Sequence, residues 1–391
     1  MVFDLDEGKS LSCDKKGRNK VFYLHHNRIA SCCRAKSDIL QPTDTLEQYL
    51  AKWQQESQQL QSGHQLSGCE HCWQNEKQGK ISYRTNGSDQ SPVIELYLSN
   101  LCNHMCSYCS PKFSSTWQTS LAQHGMFTNI STASADNLQI GTPNTNIDHW
   151  TQQISEHIQT LPDNSVIIKL LGGEPLMQKR HLQTLLNLNS VKIKTLSLQT
   201  NLNPPANRFL KWLLKNIGPD KLRFTVSIDA SPEWNHWPRA KFNRQKFLQN
   251  LDLVSRSGNM DSFSAVISVL GIFDLPNFMS WSDTVGIPIF FNKLYNPKCL
   301  ETALVPQHFR QRILKSINCE KIPAVIDEIL KEPHDENHIR LFEQFQYLQQ
   351  YFQRNNLNPE GCGNILFEEY WTWLTKNYKK NIIQHEVSHS V

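Results

Sequence analysis

The sequence predicts an α/β fold, with a polar, cysteine-bearing segment before it and a helical region after it. Three observations carry this reading. From Val93 onward, short runs rich in β-branched and aromatic residues alternate with segments whose apolar residues recur every three or four positions. Residues 1–90 are polar yet hold five cysteines, Cys13, Cys32, Cys33, Cys69 and Cys72. Beyond about residue 300 the strand-like runs stop, and helical patterns continue to the aromatic-rich stretch Ile365–Tyr378.

Taken in order, the strand-like runs are 93–98, 165–171, 191–199, 222–228, 263–270 and 287–293. Between them, Ile147, Trp150, Ile154, Ile158 and Leu161 form one helical stripe, and Phe247, Leu248, Leu251 and Val254 another. Strands that alternate with helices imply a parallel sheet with right-handed crossovers. Six such units fall short of the eight that close a TIM barrel. The expected architecture is therefore a partial (β/α)6, TIM-like barrel whose strand C-termini face one cavity. Residues 1–90 are expected to form a Cys-rich N-terminal module, 91–300 the barrel, and 301–391 the helical C-terminal region. Polar 113–146 reads as an insertion after the first strand, and Gln-rich 54–65 as a solvated helix and loop. Pro306 and Pro323 are placed near helix starts.

With 391 residues the chain is long enough to bury a large core. Hydrophobic residues make up 39%, which excludes a disordered chain. No run of about 18 apolar residues occurs, and the N-terminus lacks signal-peptide regions, so a cytoplasmic location and no membrane partner are expected. A net charge of +4 gives no electrostatic footprint for nucleic acid. In a reducing compartment, clustered cysteines read as metal ligands or catalytic groups. Cys299, Cys319 and Cys362 are scattered and read as structural thiols.

The most informative motif is Cys102-x-x-x-Cys106-x-x-Cys109, directly after the first strand. Zinc normally takes four ligands, or three and water, and His104 inside the loop is available. Three thiolates with no adjacent fourth fit a [4Fe–4S] cluster better, because one iron is then left open to a small molecule.

This triplet, with Tyr108 before its last Cys, resembles that of the radical SAM superfamily, in particular its twitch- and SPASM-type members. Gly172-Gly173-Glu174-Pro175, after the second strand, is similar to the family's GGEP. The resemblance implies that this turn binds the amino group of S-adenosylmethionine, the glycines admitting the ligand to the backbone and Glu174 supplying charge. It also implies cofactor contacts for Tyr108, Ser227, Asp229 and Arg239, with Val269 to Gly271 along the adenine. The alternatives are a strand end with an N-cap for Ser227 and Asp229, and an exposed surface Arg for Arg239. Leu202, after Thr200-Asn201, stands where the family often has glycine. The resemblance implies a radical SAM enzyme: the reduced cluster cleaves S-adenosylmethionine, and the 5′-deoxyadenosyl radical takes hydrogen from a substrate. The expected partners are a small-molecule or peptide substrate and an electron donor such as a flavodoxin or ferredoxin.

Cys69-Glu-His-Cys72, with Cys32, Cys33 and Cys13 upstream, looks like an auxiliary cluster module displaced to the N-terminus. A second iron–sulfur cluster and a structural zinc are the two metal readings, because four thiolates suit either. The run from Cys72 to Arg84 resembles an N-terminal signature of the same proteins. Two other functions stand beside the first: an RNA-modifying radical SAM enzyme, its tryptophans stacking on bases, and a non-catalytic iron–sulfur or zinc protein.

Overall fold

The computed structural model describes residues 13, 22–25, 28–32, 35–82, 91–131, 147–317 and 322–378. Cys33, Arg84 and Cys319 lie outside the described residues. In chain order the elements are β1 (Phe22–His25), β2 (Arg28–Ala30), β3 (Asp38–Ile39), α1 (Leu46–Gln61), α2 (Glu70–Lys77), β4 (Val93–Tyr97), β5 (Met105–Cys106) and α3 (Ser115–His124). There follow α4 (Ile147–Gln159), β6 (Val166–Leu170), α5 (Lys179–Asn189), β7 (Ile193–Thr200), α6 (Arg208–Asn216), β8 (Leu222–Ser227), β9 (Arg239–Ala240) and α7 (Arg244–Arg256). The chain continues through β10 (Met260–Ile267), α8 (Leu275–Val285), β11 (Ile289–Lys293), α9 (Gln307–Ser316), α10 (Ala324–Lys331), α11 (His338–Asn355) and α12 (Ile365–Tyr378). All six expected strands are present, as β4, β6, β7, β8, β10 and β11, each within a few residues of its sequence bounds. The fold is α/β with parallel pairing, as the alternation predicts.

The chain divides into two compact units. The first comprises Met1–Ser99, Thr142–Gln199 and Phe209–Arg223. Within it β4 pairs in parallel with β6, and β6 with β7. Strand periodicity puts Ile94, Leu96, Val166, Ile168, Leu170, Leu196 and Leu198 on the buried face. Glu95 and Lys169 stand opposite each other in register on the other face. The expected stripe of α4 is buried at Trp150, Ile154 and Ile158, beside α5, whose Asn189 donates to Ser155 Oγ at 2.9 Å. Three further strands have no signature in the sequence: β1 adds in parallel to β4, and β2 and β3 pair antiparallel beyond it. They are two to four residues long, too short for any periodicity to register. Helix α1 starts at Leu46, earlier than the Gln-rich run suggests, because Thr45 and Gln48 form a capping box there.

The second unit comprises Asn100–Gly141, Thr200–Arg208 and Phe224–Val391. Here β8 pairs in parallel with β10, and β10 with β11, burying Phe224, Val226, Phe263, Ala265 and Ile267. Asn243 caps α7, whose buried face is Phe247, Leu251 and Val254. Pro306 and Pro323 stand immediately before α9 and α10, at their N-caps. Helix α11 buries Leu341, Phe345, Leu348, Tyr351 and Phe352. At about 2 kcal/mol per large side chain, this one face contributes about 10 kcal/mol, comparable to the whole stability of a domain. The C-terminal helices are therefore part of this unit's core, with Phe352 against Trp237 at 5.3 Å and Phe367 against Phe273 at 5.4 Å between ring centroids. Of the ten tryptophans in the sequence, Trp53, Trp73, Trp117, Trp150, Trp234, Trp237 and Trp371 are buried, which removes most of the rings that could have stacked on bases. Among the described residues no helix is long and apolar enough to cross a membrane.

Candidate functional site

The chain leaves β4 and enters the cysteine loop, which folds within the second unit. Cys102 and Cys106 are buried and Cys109 is half-buried. The polar run after the triplet brackets the loop through its carbonyls. Thr116 Oγ1 donates to Cys102 O at 2.7 Å, Ser114 Oγ to His104 O at 2.6 Å, and Trp117 Nε1 to Cys106 O at 2.8 Å. Ser114 also accepts from Trp117 N and so caps α3. One segment thus starts a helix and fixes the loop.

Burial pushes the Cys106 thiol up to about 11 and the Cys109 thiol up to about 12. Unliganded, both are thiols at neutral pH, and a metal would have to displace their protons. N–H donors reach two of the sulfurs: Arg239 Nη1 lies 3.6 Å from Cys106 Sγ, and His104 N lies 3.5 Å from Cys102 Sγ. Three thiols on one pinned loop, with donors aimed at two of the sulfurs, fit iron–sulfur ligation, whose potential such donors tune. Among the described residues no three of His, Cys, Asp and Glu stand close enough together to hold one metal ion. The cysteines of a cubane each bind a separate iron, a less demanding arrangement. His104 is buried, and burial lowers its pKa to about 3 with Arg239 adding to the effect, so the ring is neutral. It packs edge-on to Phe242 and meets Asn203 Oδ1 at 3.3 Å.

Asp229 and Arg239 do not take either of their bland alternatives. Arg239 is 7% exposed and Asp229 1%. Arg239 Nε lies 2.7 Å from Asp229 Oδ2, while Nη2 donates to Asp229 Oδ1 at 3.1 Å and to Tyr108 OH at 2.6 Å. Tyr108 OH donates to Asp229 Oδ2 at 2.8 Å, and Val266 N to Oδ1 at 2.9 Å. The N-cap reading for Asp229 fails because Asn243 caps the next helix. Burial would lower the Arg239 pKa, but Asp229, then Tyr108 and Cys106, hold it well above the usual range. Burial, reinforced by Asp229, keeps the Tyr108 phenol protonated. The antiparallel pair β5–β9 sets Cys106 opposite Arg239. The resemblance assigns Tyr108, Asp229 and Arg239 to the cofactor one by one; in the fold they form one network against a cysteine sulfur, with Asp229 and Arg239 buried and Tyr108 half-buried.

Ser227 ends β8, half-buried, in register with Ser264. Asn201 donates to Asn103 Oδ1 at 3.0 Å, and its amide also reaches Cys102 Sγ at 4.0 Å. Leu202 has φ +52°, the left-handed conformation for which glycine is favoured. Three hydrogen bonds hold the turn: Leu202 N to Thr200 Oγ1, Asn203 N to Asn201 Oδ1, and Asn250 Nδ2 to Leu202 O. Val269 and Leu270 are fully buried, and a Cβ at Gly271 would lie 2.8 Å from Asp229 O. Gly271 is thus needed for the close approach of two backbones.

In the first unit, Gly172 and Gly173 have φ +70° and +55°. A Cβ at Gly172 would sit 1.9 Å from Tyr97 Cδ1, so only glycine fits. Glu174 is fully buried, and its carboxylate accepts from Leu176 N at 2.9 Å, capping the short turn Pro175–Met177. Gln178 Nε2 donates to Gly172 O at 3.2 Å. Two successive left-handed glycines thus lead into a buried carboxylate that caps the next turn.

The N-terminal cysteines are brought together in part. Cys13 is buried with Leu60 and Trp73, and Cys69 packs against that cluster. Cys72 is buried on α2. Cys32 packs instead with Ala30, Ala35 and Val93, although the next residues return to the CxxC turn through Lys36 N to Gly68 O at 3.1 Å. Cys299 is fully buried, as expected of a structural thiol, whereas Cys362 is half-buried.

The chain thus has parallel βα units, with a three-cysteine loop after one strand and a Gly-Gly-Glu turn after the next. Residues 96–275 match the Radical SAM superfamily model, and the chain carries a radical SAM domain over that stretch. A search of curated proteins found no match. Solved structures similar to this chain include native anSMEcpe with bound AdoMet, at 15% identity and TM-score 0.38, covering 66% of this chain and 59% of that one. Native anSMEcpe with bound AdoMet and Cp18Cys peptide is similar at 14% identity and TM-score 0.37, over 66% and 59% of the two chains. The chain thus spans less than two thirds of the length of these structures.

Proposed function

We propose that this protein is a radical SAM enzyme acting on a peptide or another natural-product precursor. Cys102, Cys106 and Cys109 would hold three irons of a [4Fe–4S] cluster, and Glu174 with the Gly172–Gly173 backbone would hold the amino group of S-adenosylmethionine. A cluster so held, once reduced by one electron, would cleave bound S-adenosylmethionine to methionine and the 5′-deoxyadenosyl radical that removes hydrogen from the substrate. The observation that carries the reading is the buried Asp229–Arg239 pair, joined by half-buried Tyr108, against Cys106 Sγ. A guanidinium and an aspartate both withdrawn from water are costly unless the site needs them. Arg239 stabilises negative charge on the Cys106 sulfur, and Asp229 and Tyr108 fix the plane of its fork. The loop's pinned carbonyls keep the thiols in place before any metal arrives. Ser227 stands as a further contact to the cofactor. A flavodoxin or ferredoxin is the proposed electron donor.

For the N-terminal module we keep two metals open, a second iron–sulfur cluster and zinc, on Cys13, Cys32, Cys33, Cys69 and Cys72. Of the described cysteines, Cys13 and Cys69 share one apolar cluster, while Cys32 packs in another. Iron and zinc analysis of protein lacking the barrel triplet separates the two, and neither metal above background removes both.

The function is tested by anaerobic reconstitution, reduction with dithionite, and chromatography for 5′-deoxyadenosine. Wild type is expected to form it, and Cys102→Ala, Cys106→Ala and Cys109→Ala to form none. A wild type without product, or variants that match it, defeats the proposal.

A further inference from the structure

The C-terminal helix α11 reaches the cysteine loop. Tyr351 OH donates to Met105 O at 2.8 Å and accepts from Ala240 N at 3.2 Å. Tyr347 OH, one helical turn away, donates to Ser107 O. Both rings are buried, Tyr351 at 0% and Tyr347 at 1% exposure, and they stack at 6.3 Å between centroids. With the donors from 114–117, the loop is held through five of its carbonyls: Cys102, His104 and Cys106 by the segment starting α3, Met105 and Ser107 by α11.

We infer that Tyr347 and Tyr351 are positioning residues for the iron–sulfur site, an inference that rests on the cluster reading above. The physical reason is the planarity of the peptide unit. In a trans peptide the C=O and N–H point in opposite directions. Anchoring Ser107 O on α11 therefore turns the N–H of Tyr108, on the same peptide, away from the helix. Tyr351 also ties the loop to β9 through Ala240, the neighbour of Arg239, so the cation and the sulfur it faces are set by one side chain. A phenol is well suited to such an anchor, because its ring packs in the core and its hydroxyl must find an acceptor when buried. Residues supporting metal ligands typically change metal retention by about 10–100-fold when altered.

The experiment compares Tyr347→Phe, Tyr351→Phe and, as a control, Tyr370→Phe, each reconstituted anaerobically. Phenylalanine keeps the ring, so all three should fold. Tyr370 is equally buried and its hydroxyl meets Gln344, not the loop. Two quantities are read: the rate at which an iron chelator bleaches the cluster, and the electron paramagnetic resonance of the reduced protein with and without S-adenosylmethionine. The signal that changes on adding S-adenosylmethionine reports the open-iron cluster alone. Tyr347→Phe and Tyr351→Phe should lose that signal about tenfold faster than wild type or more, with altered line shape, while Tyr370→Phe behaves as wild type. Loss no faster than wild type with an unchanged spectrum overturns the inference and spares the cluster reading. Equal loss in Tyr370→Phe overturns it too, as a general effect of a missing core hydroxyl. A wild type that assembles no such cluster overturns both.

Discussion

Replacing Arg239 by Gln tests the buried network most directly. The change removes the cation that lies 2.7 Å from Asp229 Oδ2 and 3.6 Å from Cys106 Sγ. At an effective dielectric constant of about 20, charges 2.7 Å apart attract by about 6 kcal/mol before desolvation is counted. Leaving a buried carboxylate without its partner typically costs about 3–5 kcal/mol, the same order. Two hydrogen bonds from Tyr108 and Val266 remain on Asp229 and cannot replace a full charge. At about 2–4 °C per kcal/mol for a unit of this size, the melting temperature of cluster-free protein should fall by about 6–20 °C. The double variant Asp229→Asn/Arg239→Gln removes both charges and should recover at least half of the loss. Thermal unfolding followed by circular dichroism on wild type, both single variants and the double variant completes the cycle. A loss under about 1 kcal/mol for Arg239→Gln, the value of an exposed pair, refutes the reasoning. So does a coupling energy of zero.

Gly172→Ala should cost about 2–4 kcal/mol, combining the strain of φ +70° with a Cβ 1.9 Å from the Tyr97 ring; Tyr97→Ala should relieve the steric part, and denaturant titration of the two variants and their combination checks it. Asp274 is 3% exposed, and burial raises its carboxyl above the ordinary value even though Ser231 N and Asn277 donate to it. An acid whose folded pKa is raised binds its proton more tightly in the fold, so its contribution to stability falls as pH rises from the unfolded value through the raised one. Asp274→Asn should therefore gain on wild type as pH rises from about 4 to 7, and a difference in melting temperature that stays flat over that range contradicts the reading.

The strands β4, β6, β7, β8, β10 and β11 are legible in the sequence because each is a local run with its own periodicity and turn boundaries. The helices α4 and α7 are legible for the same reason, through stripes that lie on one face of one element. The Cys102–Cys109 loop and the Gly172–Pro175 turn can be read because their chemistry depends on spacing along a few consecutive residues. Strands β1 to β3 are not legible, because two to four residues carry too little pattern and β1 finds its pairing partner in the distant β4. Leu202 illustrates an intermediate case: the sequence departs from a glycine, and the fold keeps the left-handed turn by hydrogen bonds to Thr200 Oγ1 and Asn201 Oδ1 and from Asn250 Nδ2.

The sequence by itself determined the α/β class, the order of the βα units and the motifs that mark a radical SAM domain. Tertiary structure alone decided what surrounds those motifs. Arg239 follows Tyr108 by 131 residues and Tyr351 follows Met105 by 246, and nothing local in either segment announces the partner. Hydrogen bonds and buried ion pairs depend on distances of a few ångströms between side chains that only packing brings together, so their specificity resides in the fold rather than in the spacing of residues along the chain.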